Sequence, residues 1–455
     1  MVTHKLPSQV KKILETLKKA SFEAYAVGGS VRDMIMGRPT RNWDFTTNAT
    51  PQQILEVFPD GFYDNVFGTV GVPQENGQVF EITTFRTEWG YSDRRHPDKI
   101  SWGKTLEEDL ARRDFTINAI ALRPADGRAQ DKPSIIDPYH GVDDIKAKII
   151  RAVGNPSERF TEDALRLLRA IRIASELEFL IETKTFNAIT ENASLIKEIS
   201  GERIRDELFK ILRTDHPADG FMLLKNSGLL REILPEVEKG FGIEQASPGR
   251  HHIYDVGTHS FLSLKHCPSK DPLVRFAALL HDVGKPVTFV KDKTGLITFY
   301  NHEVISASIA RNLAERLKFS KKDRDHLVVL VRWHQFSVDE KQTDSALRRF
   351  IRRAGKENLK GMLDLRIGDR LGGGARETSW RLKLFIKRLE EVQRQPFTVA
   401  DLKVDGNDVM EILGIGPGPI VGKVLNTLFA EVVEDGKKNK QEYLLKRIKE
   451  VGKSF

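Results

Sequence analysis

Hydrophobic and polar positions alternate in short runs from Phe22 to about Leu122. Strand-like segments rich in β-branched and aromatic residues are separated there by helix-like stretches, a pattern typical of a sheet-containing domain. The strand-like segments are FEAYAV (22–27), FGTVGV (67–72), VFEITTF (79–85) and INAIAL (117–122). The sequence therefore predicts an N-terminal domain in which a β-sheet packs with helices.

One helix start is legible from the sequence alone. Thr50 is a good N-cap residue, Pro51 suits the first helical position, and Gln53 completes a capping-box pattern ahead of apolar residues. We therefore expect a strand-to-helix turn shortly after Asp44.

Amphipathic helical periodicity dominates from about Phe160 onward, as in LLRAIRIASELEF and IRDELFKIL. Breaks are expected near 137–141, 240–250 and 372–374, where Gly and Pro interrupt the periodicity or turn residues cluster. A chain of 455 residues exceeds what one hydrophobic core usually serves. We expect an α+β protein with a mixed-sheet domain at 1–140 and all-α domains at 141–245, 246–375 and 376–455.

Composition narrows the class of partner. Lysine plus arginine (72) exceeds aspartate plus glutamate (64), and the resulting net charge of +8 favours a polyanionic partner, although a merely basic enzyme would look the same. The single cysteine, Cys267, excludes an internal disulfide and a cysteine-rich zinc site. The sequence shows neither a signal peptide nor a membrane-spanning apolar run, so we expect a cytoplasmic protein without a membrane partner.

The segment AYAVGGSVRDMIMG places two glycines between an apolar strand and a helix. Backbone N–H groups at Gly28 and Gly29 can approach a triphosphate there, and a ligand-free tight turn is the alternative. Arg32 and Asp33 follow as further nucleotide-binding candidates, or as an ordinary ion pair at the helix start.

The next segment, NWDFTTNATP, is where metal-dependent chemistry is expected. Alternate strand positions face the same side, so residues 42 and 44 could share divalent ions, and phosphoryl-type transfer is served by two such ions. Asp44 is the main candidate ligand. Asn42 occupies the partner position, where an amide offers one weaker oxygen and no charge. Glu81, on a neighbouring predicted strand, is the third catalytic candidate, or a solvated strand residue.

Two downstream segments carry nucleotide-binding candidates. In RRDFTINAIAL, Arg112, Arg113, Asp114 and Asn118 suit a phosphate and a ribose hydroxyl, although a charged helix end is the alternative. In SERFTEDALRLLRAIRIA, the pair at 163 and 166 is expected on one helix face. A carboxylate beside a guanidinium can read the edge that cytosine and adenine share, whereas an intrahelical salt bridge is the simpler interpretation.

Together these segments resemble the class II tRNA nucleotidyltransferase and bacterial poly(A) polymerase family, within the polymerase-β-like superfamily. The matching motifs, in order, are VGGSVRD (27–33), NWD (42–44), EITTFR (81–86), RRDFTINA (112–119), EDALRLLRA (162–170) and ERIRDELFKIL (202–212). The resemblance implies a catalytic head using Mg²⁺, and a helical neck in which Asp163 and Arg166 template CTP and ATP without a nucleic-acid template. It also implies body and tail domains that hold the tRNA acceptor end.

The segment 87–111 resembles the flexible loop of members that add a complete CCA end, so we favour CCA addition and keep adenosine-only and poly(A) addition open. Asn42 departs from the family's Asp-x-Asp pair. The chain is therefore either a deliberately inactivated variant or a natural member with weak or lost activity, and a catalytically dead tRNA-binding protein stays open as well.

A second constellation lies in 255–370, in DVGTHS, LLHDVGKP, YNHE, RWHQ and LRIGDR. Adjacent His281 and Asp282, with distant His259 and Asp369, resemble the metal-dependent HD phosphohydrolase superfamily. Further candidate ligands are His302 and His334. The resemblance implies a divalent transition metal, and either hydrolysis of phosphate esters or a helical scaffold that binds RNA.

The C-terminal part contains the basic segment LRRFIRR (347–353) and the glycine- and proline-rich segment at 404–425, which resembles the tail of bacterial relatives. We expect RNA-backbone contacts from basic residues in these two segments, and a plain helix–helix connection is the alternative. The candidates are Arg348, Arg349, Arg352, Arg353 and Lys423.

Overall fold

The computed structural model of the chain divides into two compact units. They comprise residues 1–238 with 316–319, and residues 239–315 with 320–455. The residues described are 6–40, 42–65, 68–89, 99–102, 105–124, 133–245, 253–336, 343–375, 380–393 and 399–454. The predicted domain boundaries at 140, 245 and 375 stay predictions.

The first unit contains a seven-stranded sheet. Its strands are β1 (Ala24–Val27), β2 (Asp44–Thr47), β3 (Phe62–Asn65), β4 (Thr69–Pro73), β5 (Val79–Thr84), β8 (Ala121–Arg123) and β9 (Ser134–Ile136), in the order β3-β4-β5-β2-β1-β8-β9. Strands β6 (Arg86–Trp89) and β7 (Lys99–Trp102) form a separate antiparallel pair. Since β2 and β5 run parallel while their other neighbours run antiparallel, the sheet is mixed, as predicted.

The predicted strand segments become strands because apolar side chains alternate across the sheet. In β5, Phe80 and Ile82 are buried while Val79 and Glu81 are exposed, which is the period of two expected for a half-buried strand. Phe80 packs against Phe45 of β2, with ring centroids 5.6 Å apart. The segment INAIAL is a strand only from Ala121, because residues 116–118 form a 3₁₀ turn.

Helices make up most of the remainder of the first unit. They are α1 (Ser8–Lys19), α2 (Gly29–Ile35), α3 (Pro51–Val57), α4 (Leu106–Ala111), α5 (Gly141–Ala147), α6 (Pro156–Glu162), α7 (Leu165–Leu177), α8 (Thr183–Asn192), α9 (Gly201–Arg213), α10 (Pro217–Asn226), α11 (Leu229–Ile233) and α12 (Pro235–Glu238). Helix α7 is amphipathic and buries Leu168 and Ile171, among others, so its orientation is set by apolar packing.

In the described part of the second unit, helices are the regular structure apart from one short hairpin, β12 (Val290–Lys291) with β13 (Ile297–Thr298). Its helices are α13 (Val256–His266), α14 (Pro272–Leu280), α15 (Lys285–Thr288), α16 (His302–Arg316), α17 (Lys321–Arg332), α18 (Asp344–Ala354), α19 (Leu359–Gly372), α20 (Trp380–Gln393), α21 (Gly406–Leu413), α22 (Pro419–Glu434) and α23 (Gln441–Gly452). None of the helices described has the length and apolarity needed to cross a membrane.

The predicted α+β class is confirmed, with one correction. The segments expected to be all-α contain small sheets, namely the hairpin just described and a parallel pair of β10 (Ile149–Ile150) with β11 (Leu180–Ile181). Each pair is two residues long, which is too short to appear as periodicity in a sequence.

The capping box at the start of α3 is confirmed. Thr50 Oγ1 accepts a hydrogen bond from the Gln53 backbone at 3.3 Å, and the Gln53 side chain accepts one from the Thr50 backbone at 2.9 Å. Replacing Thr50→Ala should lower the free energy of unfolding by about 1 kcal/mol, because backbone donors at the helix start lose their partner. Urea denaturation followed by circular dichroism measures this change.

Ser200→Ala is the matched control for that measurement. Ser200 is the N-cap residue of α9, but its side chain makes no capping hydrogen bond. We therefore expect a smaller loss of stability for Ser200→Ala, and equal losses for the two variants would contradict a specific role for the capping box.

Candidate nucleotide and metal sites

The sheet register places Asp44 beside Glu81. The two residues are direct partners across the parallel strands β2 and β5, and both are exposed. In-register neighbours on adjacent strands point to the same face, so the two carboxylates share one side of the sheet. Although Asp44 is exposed at the start of the strand, desolvation by the surrounding protein raises the pKa of its carboxyl, and the nearby charges of Arg113 and Arg169 act in the opposite direction.

Asn42 lies outside the strand. The expectation that residues 42 and 44 both belong to β2 is wrong, because β2 begins at Asp44, which pairs with Val27 at the end of β1. In this register residue 42 would face Gly29, which already belongs to α2. Asn42 is exposed, directly before the buried Trp43.

The glycine turn lies against the same carboxylate. Gly28 has φ 79° and ψ −147°, a backbone conformation that side-chain-bearing residues rarely adopt. A Cβ atom at this position would lie 3.0 Å from Arg113 Nη1 and 3.4 Å from Asp44 Oδ2. The turn, the metal-ligand candidate and one candidate phosphate-binding arginine are therefore immediate neighbours.

A fully buried carboxylate holds the two arginines of RRDFTINA. Asp109 of α4 accepts from Arg112 Nη2 at 2.7 Å and from Arg113 Nη2 at 3.1 Å. Burial alone would raise the pKa of Asp109, but the two guanidiniums outweigh it and lower the pKa. Asp109 was not predicted as a site residue, although its position on a helix, three and four residues before two arginines, was the available signal.

Asp114 is the centre of a buried hydrogen-bond network. Its Oδ1 accepts from the Phe115 backbone at 2.9 Å and from Asn118 Nδ2 at 3.1 Å, and its Oδ2 accepts from Arg169 Nε at 2.8 Å and Nη2 at 2.6 Å. Burial opposes ionisation, but Arg169 and Asn118 keep the pKa of Asp114 well below its usual range. Arg169 was also missed, although it lies one turn after Arg166 on α7.

The same network extends to α2. Asn118 Oδ1 accepts from Arg32 Nη1 at 2.8 Å, and Arg32 also donates to Asp33 Oδ1 through Nε and Nη2, at 2.9 and 2.8 Å. Arg32 is buried, so its charge is compensated inside the fold. The ion pair that the sequence left as an alternative for residues 32 and 33 is therefore present.

Asp163 and Arg166 do not lie on one helix. Asp163 has an extended backbone between α6 and α7, and its Oδ1 accepts from the Leu165 backbone at 3.0 Å. The sequence expectation is wrong because this capping interaction starts a new helix at Leu165. Asp163 instead pairs with Arg203 at 3.2 Å.

Arg166 is engaged at the start of α7. It donates to Glu162 at 2.7 Å and to the Arg112 carbonyl at 2.9 Å. No ion pair between 163 and 166 occurs among the described residues, so the simple intrahelical salt bridge is excluded as the reason for this pair.

In the second unit the histidines and aspartates singled out in the sequence come together. This histidine–aspartate cluster consists of His259, His281, Asp282, His302, His334 and Asp369. Asp282 Oδ2 lies 3.2 Å from His281 Nε2 and 3.4 Å from His259 Nε2, while its Oδ1 lies 3.2 Å from His302 Nε2 and 3.6 Å from His334 Nε2. Each carboxylate oxygen thus faces one pair of imidazoles.

Backbone contacts fix the orientation of three of these imidazoles. The Nδ1 atoms of His281, His302 and His334 each lie 2.8 Å from a backbone carbonyl, those of Ala278, Phe299 and Val331. A histidine that donates through Nδ1 presents the Nε2 lone pair, and this is how metal-binding imidazoles are commonly held. The ligand atoms of His259, His281 and Asp282 are close enough together to hold a metal ion. The same is true of Asp282, His302 and His334.

Ionisation in the cluster follows from burial and charge. Burial lowers the pKa of His334. At His281 burial acts the same way, but the Asp282 carboxylate outweighs it and raises the pKa. Burial opposes the charge of Asp369, yet the hydrogen bond from His259 and the charge of His281 lower its pKa. A cavity of about 290 Å³ adjoins the cluster, and its lining includes Lys285, Arg366 and Arg370.

The basic segment of α18 divides by exposure. Arg349, Arg352 and Arg353 are exposed, as is Lys423 of α22. Arg348 is buried, and its Nε donates to the Val433 carbonyl, so its charge serves packing within the unit rather than an outer surface. The prediction of RNA contact stays open for the four exposed residues, whereas Arg348 would have to leave its carbonyl partner.

Much of the predicted flexible loop, 90–98 and 103–104, lies outside the described residues.

Comparison with known proteins gives matches along most of the chain. Family models describe a poly(A) polymerase head domain for residues 24–151, an RNA- and SrmB-binding region of polymerase A for 178–241, and a tRNA nucleotidyltransferase domain 2 for 295–448. The chain is 34% identical to the CCA-adding enzyme of Ligilactobacillus salivarius, with 99% of each chain covered. It is 34% identical to that of Latilactobacillus sakei, with 96% of each covered.

The fold agrees with these sequence matches. The solved structure of the Bacillus stearothermophilus CCA-adding enzyme in complex with CTP has a TM-score of 0.71 to this chain at 28% identity, covering 99% of both chains. Sequence identity over the full length, the order of the family models and the shared fold all agree. The chain belongs to the CCA-adding enzyme family of nucleotidyltransferases.

Proposed function

We propose that the protein adds cytidine and adenosine to the 3′ end of tRNA from CTP and ATP, without a nucleic-acid template. The observation that carries this proposal is the placement of Asp44 and Glu81, in register on β2 and β5, beside the Gly28 turn and Arg113. Full-length relatives named CCA-adding enzymes, and the relative solved with CTP, support the choice of substrates.

Two of the three candidate ligands at this site are well suited to divalent ions, and the third is less so. Asp44 and Glu81 offer carboxylate oxygens on one sheet face, and Asn42 next to the strand offers one amide oxygen. Oxygen ligands suit Mg²⁺, which would neutralise charge on the triphosphate and favour the reactive form of the attacking hydroxyl. Asn42 supplies less charge than an aspartate would, so we infer that turnover is impaired while substrate binding persists.

The other residues bind and orient the substrates. The Gly28–Gly29 backbone and Arg113 would contact the triphosphate, and the ribose would lie near Asp114. Asp163 and Arg166 would then read the base. Their present partners, Arg203 and Glu162, must give way to a base edge, which is possible since both ion pairs are partly exposed. Cytosine and adenine offer the donor and acceptor that this pair requires.

Replacing Asn42→Asp should raise the rate of nucleotide addition by about tenfold or more. A second carboxylate strengthens metal binding where charge develops, and each ~1.4 kcal/mol of barrier is a factor of ten. The measurement uses tRNA lacking its 3′ end with CTP alone, ATP alone or both, in Mg²⁺. Product length separates CCA from CC, adenosine-only and poly(A) addition.

Asp44→Asn in the same background is the control and should abolish extension. If Asn42→Asp protein extends no RNA under any nucleotide condition, the proposed function is wrong. Salt-dependent tRNA binding without extension would then favour the alternative of a non-catalytic RNA-binding protein.

Replacing Gly28→Ala should weaken CTP binding by about tenfold, equivalent to ~1.4 kcal/mol. The added methyl group crowds Arg113 and Asp44, at the distances given above, and would also block close approach of a phosphate. Gly37→Ala is the matched control, since Gly37 also has a positive φ, 71°, but no heavy atom lies within 4 Å of its Cβ position. Titration of CTP with Mg²⁺ measures both variants.

Both substitutions should destabilise the fold through backbone strain, but only Gly28→Ala should reduce CTP affinity. If the two variants bind CTP equally well, the glycine turn does not cradle the triphosphate.

A second activity is favoured by the histidine–aspartate cluster. We propose that it binds one or two divalent transition-metal ions and hydrolyses cyclic or 3′-terminal phosphate esters. The orientation of three imidazoles toward Asp282 supports metal binding, because nitrogen-rich ligand sets suit Mn²⁺, Co²⁺, Ni²⁺ or Zn²⁺ better than Mg²⁺. The ligands would neutralise the ion, and Lys285, Arg366 and Arg370 beside the cavity would attract a phosphate.

Metal analysis tests the second proposal. After incubation with Mn²⁺, Co²⁺ or Ni²⁺ and desalting, the unaltered protein should retain at least one ion per chain. His281→Ala and Asp282→Asn should lose it, together with any phosphate release, while Asp44→Asn keeps both. Retention of the ion by the two cluster variants would rule out this site.

A further inference from the structure

Asp109 is a buried charge whose role lies in its two arginine partners. It is 0% exposed, and it holds the side chains of both Arg112 and Arg113, each of which is 18% exposed. A buried carboxylate without compensating partners is strongly destabilising, so the two guanidiniums must stay in place for Asp109 to remain charged. Conversely, two adjacent guanidiniums repel each other unless a carboxylate lies between them.

The first partner leads to the phosphate end of the proposed nucleotide site. Arg113 Nη2 is fixed by Asp109 at 3.1 Å, and its Nη1 lies next to the Gly28 turn. Its charge is also felt at Asp44. Asp109 therefore determines where the Arg113 guanidinium lies relative to Asp44 and the Gly28 backbone.

The second partner leads to the base end. Asp109 Oδ1 accepts from Arg112 Nε at 3.1 Å and Nη2 at 2.7 Å, which fixes this side chain at the end of α4. The carbonyl of Arg112 in turn accepts from Arg166 Nη2 at 2.9 Å. Asp109 thus contacts Arg113 at the phosphate end directly. It is connected to Arg166 at the base end through Arg112.

We propose that Asp109 is a positioning residue that sets the distance between the phosphate-binding and base-reading ends of the ribonucleoside triphosphate site. It touches no substrate and acts through Arg112 and Arg113. This inference rests on the proposed nucleotidyl-transfer function and deepens it, because it assigns one residue to both affinity and base selectivity. Loss of the charge frees Arg113 from the turn and allows the Arg112 carbonyl to shift under Arg166.

The test is nucleotide binding by the full-length chain, since binding does not require turnover. Dissociation constants for CTP, UTP and inorganic tripolyphosphate are measured with Mg²⁺ for the unaltered protein, D109N and D109E. We expect D109N to bind CTP and tripolyphosphate at least tenfold more weakly and to discriminate less between CTP and UTP. D109E keeps the charge but displaces it, so its affinity and its discrimination should lie between those of the unaltered protein and D109N. It replaces D109N in the test if D109N does not fold.

D144N is the matched control. Asp144 is also a buried carboxylate in the first unit, 6% exposed, and it accepts from Arg151 at 3.0 Å and from Thr116 at 2.7 Å. Its loss should lower the melting temperature in the manner of D109N while leaving nucleotide affinity and the CTP-to-UTP ratio unchanged. If Asp109 had only a structural role, both D109N and D144N would lower the melting temperature and neither would change the CTP-to-UTP ratio.

A double-mutant cycle with R113Q separates the route through Arg113. If Asp109 acts on tripolyphosphate binding through Arg113, D109N should add little to the affinity loss already caused by R113Q. Fully additive losses, or a D109N protein that binds and discriminates like the unaltered chain, would overturn the inference. Absence of CTP binding by the unaltered chain would instead count against the proposed function itself.

Discussion

The ion pair between Asp114 and Arg169 is the interaction on which the rest of the candidate nucleotide site depends. It joins the segment after α4 to the helix α7, and the Asp114 carboxylate also accepts hydrogen bonds from the Phe115 backbone and the Asn118 side chain. Because α7 is held by apolar packing, this pair fixes the segment that contains Asp114 relative to α7. The charges of Arg113 and Arg169 favour the ionised form of Asp44, whereas desolvation has the larger effect and raises its pKa.

Much of the fold was predictable because it rests on local patterns. Alternation indicated the strands, and the cap at Thr50 indicated a helix start, since both depend on residues close in sequence. The register between β2 and β5 depends on contacts distant in sequence, so local patterns suggested that Asp44 and Glu81 share a face but could not establish their direct pairing. The break between α6 and α7 was missed because Asp163 looks like a helix residue until its side chain is seen to cap Leu165.

The site residues show the same division. Motif residues such as Arg113 and Asp114 were identified in the sequence, whereas their partners were not: Asp109 holds Arg113, and Arg169 pairs with Asp114. Supporting residues act through partners, and a partner is visible only in three dimensions. The opposite error occurred at Arg348, where a basic run suggested an exposed face but the helix turns one arginine inward to the Val433 carbonyl.

The ion pairs of Asp163 with Arg203 and of Arg166 with Glu162 have a consequence for fidelity. Both charges are satisfied within the protein, so under the proposed function an incoming base would gain nothing unless it replaced both interactions together. A base with the reversed donor and acceptor pattern would break two charge pairs and leave both partners facing like groups. Discrimination would then arise as much from the stability of these two ion pairs as from the contacts made to the correct base.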